Sequence, residues 1–76
     1  MTMNKRTYME NDVVRMVSLT GFIEVFWERV RADRGAGGNQ TYKEIYADME
    51  ADFLHKYGIT RFPSYDAFRK ARDRAK

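Results

Sequence analysis

The sequence predicts an all-α fold, a small domain of three or four helices. Three observations predict it. Apolar residues recur at steps of three and four along most of the chain, the spacing of one helix face. Two such runs are preceded by helix-capping signals, Thr41-x-x-Glu44 and Pro63-Ser64. No segment shows the strict alternation of a half-buried strand. At 76 residues the chain fits one domain. A domain this small buries only about 60% of the surface its unfolded chain exposes. Five Phe, five Tyr and one Trp compensate, since each well-buried ring contributes roughly 1.5–3 kcal/mol.

Residues 1–10 are largely polar and are expected to fray. From 11 to 34 the chain is expected to form one helix or a helix pair. Asn11 or Asp12 is the candidate cap. Met16, Leu19, Ile23, Phe26 and Val30 trace a heptad-like seam, widened by Phe22 and Trp27. Thr20-Gly21 is its weak point, because glycine within a helix costs about 1 kcal/mol relative to alanine and Thr20 can cap a new helix. The seam keeps phase across Gly21, which favours continuity.

Arg34 to Gln40 carries three glycines and reads as a connector. It lacks the Gly-Lys-Ser/Thr and preceding strand of a phosphate-binding loop. Residues 41–57 form the next predicted helix. Tyr42, Ile45, Tyr46, Met49, Phe53 and Tyr57 share its inner face. Gly58 suits the left-handed residue that ends it. Ile59 and Phe62 are expected to plug the core beneath the turn. The last helix runs over 64–75, capped by Ser64, with Tyr65, Phe68, Ala71 and Ala75 inward. Phe26, Val30, Tyr46, Met49, Phe53, Phe62 and Phe68 are the expected core.

Composition bounds the chemistry. There is no cysteine and a single histidine, His55, which excludes disulfides, thiol chemistry and Cys-based zinc sites. The basic start MTMNKR is not followed by a charge-free apolar run, so neither a signal peptide nor a membrane span is read, and a cytoplasmic location is expected. Glu44, Asp48 and Asp52 align on one face, but as a solvated row beside Lys and Arg. With no converging acid–base pair, no catalytic residue, metal, cofactor or small-molecule substrate is assigned, and the chain is not expected to be an enzyme.

Charge is unevenly distributed. The net charge is +3, while residues 57–76 alone carry a net +4 and residues 41–56 a net −2. A basic end on a near-neutral body suits an anionic partner such as nucleic acid; it equally suits a helix C-terminus that complements the macrodipole. Arg69, Lys70 and Arg74 project away from the inner face of the last helix, an arc shared with Asp66 and Asp73. Asp66 lies at intrahelical pairing distance from both Arg69 and Lys70. Tyr65 is the aromatic best placed for an exposed contact, and Arg72 falls at the edge of the inner face, where its stem can pack.

The segments TYKEIYADM, GIT and PSYDAFRKARDR together resemble helix-turn-helix DNA-binding domains over about half of the chain. The resemblance makes the C-terminal half helix-turn-helix-like. Tyr42, Ile45 and Met49 become packing residues; Ser64, Tyr65, Arg69 and Lys70 lie on the groove-facing helix. The link from Tyr57 to Pro63 is longer than the usual three- or four-residue turn, and the first helix is about twice the usual length. The chain also resembles short all-helical proteins of bacterial mobile elements, which assigns no activity.

Two functional expectations follow. The leading one is a small DNA-binding or regulatory protein whose partner is duplex DNA, contacted through Arg61, Ser64, Tyr65, Arg69, Lys70 and Arg74. The other is a homo-oligomeric protein-interaction or assembly module with no nucleic-acid role. In either case Met16, Leu19, Ile23, Phe26, Trp27 and Val30 are the expected oligomer interface, because a broad apolar stripe rarely stays exposed.

Overall fold

The computed structural model describes residues 12–75. The frayed terminus and the Asn11 cap expected above lie outside them. Among the described residues the fold is all-α, with no strand. A helical turn at 12–15 precedes α1 (Leu19–Gly35), α2 (Tyr42–Tyr57) and α3 (Tyr65–Arg74).

The continuous helix favoured over 11–34 is not found. The chain breaks at 16–18, and Ser18 rather than Thr20 caps α1. Ser18 is extended, with φ −84° and ψ 153°, and its Oγ accepts the Gly21 amide at 3.0 Å. Gly21 explains the break. A Cβ placed there would lie 1.9 Å from the Arg15 carbonyl oxygen. The preceding turn therefore doubles back onto α1 over a bare glycine. Arg15 then reaches Glu28 with two hydrogen bonds of 2.7 and 2.8 Å. The seam stays in phase because Val13 and Met16 reach the same core from the folded-back segment.

The other helix ends follow local chemistry. Thr41 Oγ1 accepts the Glu44 amide at 3.1 Å, and the Glu44 carboxylate accepts the Thr41 amide at 2.8 Å, a reciprocal cap on α2. Gly58 ends α2 with φ 78°, a conformation that costs other residues a Cβ clash. Ser64 Oγ accepts the Ala67 amide at 3.2 Å at the start of α3.

One aromatic core joins the three helices. Phe22, Val25, Phe26 and Val30 come from α1, Ile45, Tyr46, Met49 and Phe53 from α2, and Phe68 from α3. The Phe68 ring is the plug. Its centroid lies 4.9 Å from Phe26, 5.0 Å from Tyr46 and 5.3 Å from Phe22. Such pairs add about 0.5–1.5 kcal/mol each beyond area burial. Phe62 is only half-buried, its ring 5.2 Å from Phe22 and 5.5 Å from Phe68. Ile59, expected to plug the core, is instead 65% exposed. The left-handed Gly58 ends α2 immediately before it, and the chain then turns inward only at Phe62. Tyr42 and Tyr57 sit at the rims of the inner face of α2 and remain partly exposed.

Candidate nucleic-acid interface

The outer face of α3 is set by its inner one. With Phe68 fully buried and Ala71 half-buried, Arg69 and Lys70 are carried to the solvent side, their side chains 44% and 61% exposed. Arg74 is exposed one turn further on. Asp66 lies between the first two cations. Its carboxylate accepts Arg69 Nη2 at 2.6 Å and stands 3.3 Å from Lys70 Nζ. Those donors hold the Asp66 carboxyl below its ordinary pKa, and the same contact raises that of Arg69. Three cations and two carboxylates, Asp66 and the exposed Asp73, thus share an open face, where ion pairs contribute little and yield to competing anions.

The remaining expected contacts stand apart from that face. Ser64 is exposed, but its hydroxyl is engaged as the α3 cap. Tyr65 is half-buried, not the exposed aromatic expected, because its ring packs 5.5 Å from Tyr46. Arg61 is turned into the body of the protein. Its Nε donates to the Val17 carbonyl at 3.2 Å, and its guanidinium lies 4.9 Å from the centre of the Phe62 ring. Arg61 therefore bridges two turns instead of flanking the basic face.

Sequence reasoning missed Glu50 and placed Arg72 incompletely. Glu50 is buried on α2. Its Oε1 accepts the Arg61 amide at 2.7 Å; its Oε2 accepts the Phe62 amide at 2.8 Å and the Tyr46 hydroxyl at 2.5 Å. Burial, with this bond second, pushes the Tyr46 phenol well above its ordinary pKa. The available signal was Glu50 lying one helical turn beyond Tyr46, inside the apolar stripe. Arg72 buries its head as well as its stem, with only 13% of the side chain exposed. The guanidinium carbon sits 5.6 Å from the Tyr42 ring, 5.8 Å from Trp27 and 5.9 Å from Phe26. This cation–π contact fastens the end of α3 across α1 and α2.

The expected oligomer seam needs correction. Met16 and Phe26 are fully covered within the chain, and Val30 is nearly so. They belong to the core, because the folded-back turn and α3 already occupy that side of α1. Ile23 and Trp27 are half-buried against the core, and Leu19 alone of the six is exposed. Other apolar side chains reach solvent: Val17 is 55% exposed beside Arg61, and Val14 and Leu54 are also open.

The acidic row of α2 does not converge. Glu44 completes the Thr41 cap, Asp48 accepts the Gln40 side-chain amide at 3.2 Å, and Asp52 pairs with Arg29 at 3.0 Å. Among the described residues no group of three or more His, Cys, Asp or Glu could hold a metal ion, and no helix is long and apolar enough to cross a membrane. Compared with protein-family models, with curated proteins and with solved structures, the chain matches none.

Proposed function

We propose that this chain is a small DNA-binding or regulatory protein that contacts duplex DNA through the outer face of α3. The observation that carries the reading is the placement of Arg69, Lys70 and Arg74 on the solvent side of a Ser64-capped helix whose opposite side is locked into the core. A rigid helix presenting cations can lie along phosphates, or enter the major groove and offer Arg69 to a guanine edge. Of the six contacts expected from the sequence, the reading keeps Arg69, Lys70 and Arg74. Ser64, Tyr65 and Arg61 become supporting residues.

Titration of a labelled duplex at several salt concentrations tests it. Phosphate-driven binding weakens steeply as salt rises. Arg69→Ala should cost about 1–3 kcal/mol and relax sequence preference if Arg69 reads a base; if it touches only phosphate, binding should weaken evenly and the salt slope should fall by about 1. Wild-type protein that binds no duplex at low salt removes the proposal.

The apolar exposure of Val17 and Ile59, 55% and 65%, favours a second reading. Here the chain is a homo-oligomeric assembly module without a nucleic-acid role, and its contact surface lies by those residues rather than on the buried seam. Sedimentation at micromolar concentration separates the readings. An assembly that dissociates in Val17→Ser and Ile59→Ser variants supports the module; a strict monomer rejects it.

A further inference from the structure

We infer that Glu50 is a positioning residue for the proposed DNA-contact face, fixing the path of the turn at 58–64 and thereby the seat of α3. Its functional half rests on the DNA-binding reading; its structural half does not.

Seven residues separate α2 from α3, and the amides of such a turn need acceptors. Gly58 finds one in the Leu54 carbonyl at 2.8 Å. Arg61 and Phe62 find theirs in a side chain, the two oxygens of Glu50, at 2.7 and 2.8 Å. A buried carboxylate is costly unless it is fully hydrogen-bonded, and the Tyr46 hydroxyl supplies a third donor at 2.5 Å. The consequences run outward. With its amide fixed, Phe62 places its ring 5.5 Å from Phe68, the residue that seats α3. Arg61, likewise fixed, reaches the Val17 carbonyl and ties the turn to the break before α1. One carboxylate on α2 therefore sets the turn, and through Phe62 and Phe68 it sets the rotation of the helix that carries Arg69 and Lys70.

The chemistry demands two acceptor oxygens. In Glu50→Gln one oxygen becomes an NH2 group. Whichever way the amide lies, it opposes the Arg61 or the Phe62 N–H, donor against donor. Tyr46→Phe, by contrast, removes one donor and leaves both turn amides on the carboxylate.

Amide hydrogen exchange and duplex titration on the full chain test this together. In wild type, the Arg61 and Phe62 amides should exchange at least about tenfold more slowly than those of Ile59 and Thr60, as hydrogen-bonded amides do. Glu50→Gln should lose that protection while the amides of α2 keep theirs, and its DNA affinity should fall although every cation of α3 is retained. Tyr46→Phe should keep both. Unchanged protection in Glu50→Gln overturns the assignment, and lost protection with wild-type affinity overturns its functional half. If Glu50→Gln does not fold, wild type decides: Arg61 and Phe62 amides as fast as their neighbours reject the anchor. If wild type binds no DNA, the DNA reading and with it the functional half fail, while the exchange pattern still judges the anchor.

Discussion

Gly21 inverts the usual rule for a glycine inside a helix. By propensity alone, alanine there should stabilise the protein by up to about 1 kcal/mol. The Arg15 carbonyl reverses that expectation. A new Cβ would meet the carbonyl oxygen at 1.9 Å, its carbon at 2.9 Å and Ser18 Oγ at 2.9 Å. Two of the three are backbone or its carbonyl, which cannot swing aside as a flexible side chain does. Overpacking of this kind costs about 1–3 kcal/mol or more, so the clash outweighs the propensity gain. Gly21→Ala should lower the urea midpoint, with loss of the Arg15 contact to Glu28 as the folded-back turn shifts. A raised midpoint would show that α1 gains more from alanine than it loses at Arg15.

At the scale of the element, helix starts are decided by which side chain finds an orphan amide. Thr41 and Ser64 were legible because each stands at the beginning of an uninterrupted apolar period. Ser18 was not, because the seam from Met16 to Val30 runs in phase through it, and periodicity cannot tell a continuous helix from a reversed turn feeding the same core. The deciding contact, Gly21 against the Arg15 carbonyl, is tertiary. The same limit applies to the site. The outward direction of Arg69, Lys70 and Arg74 follows from projection on a helix, whereas the inward turn of Arg61 depends on Val17, far away in sequence. The burial of Glu50 depends likewise on turn amides that no period reveals. The capping assignment makes a sharp prediction. Ser18→Ala should cost about 1 kcal/mol, as loss of an N-cap does, while Thr20→Ala should stay within about 0.5 kcal/mol. Equal losses in denaturation would mean that Ser18 is not the cap. On α3, Asp66→Ala removes the carboxylate that engages both Arg69 and Lys70. It should tighten non-specific duplex binding, most at low salt where screening is weakest; weaker binding would mean that Asp66 orders those cations for contact.

Over the whole molecule, charge ties the folded-back turn to α1 and α1 to α2, and pH is the means of reading it. Asp12 is buried, and burial raises its carboxyl above the ordinary value of 3.8. Arg29 and Arg15 pull it down, while Glu28 and Asp52 push it up. Glu28 moves the other way, held below its ordinary 4.5 chiefly by the Arg15 hydrogen bonds. The signs are opposite. The lowered Glu28 contributes stability that is present above pH 4.5 and is lost as pH falls through its depressed folded value. The raised Asp12 opposes folding while ionised; that cost is relieved as pH falls through its elevated folded value, and the relief is complete below 3.8. Acidification should therefore remove the Glu28 contribution while it relieves Asp12, so the two act in opposite directions and the relief of Asp12 offsets part of the drop. Asp66, lowered by Arg69 and Lys70, adds in the same direction as Glu28, but its exposure makes the effect small. Urea midpoints between pH 3 and 7 should show the acid drop in wild type and a flatter arm in Glu28→Gln. Asp12→Asn should remove the offsetting relief and so steepen the drop. If Glu28→Gln and wild type fall in parallel, the Arg15 contact with Glu28 does not contribute to holding the folded-back turn, and acid sensitivity must arise from carboxylates elsewhere in the chain.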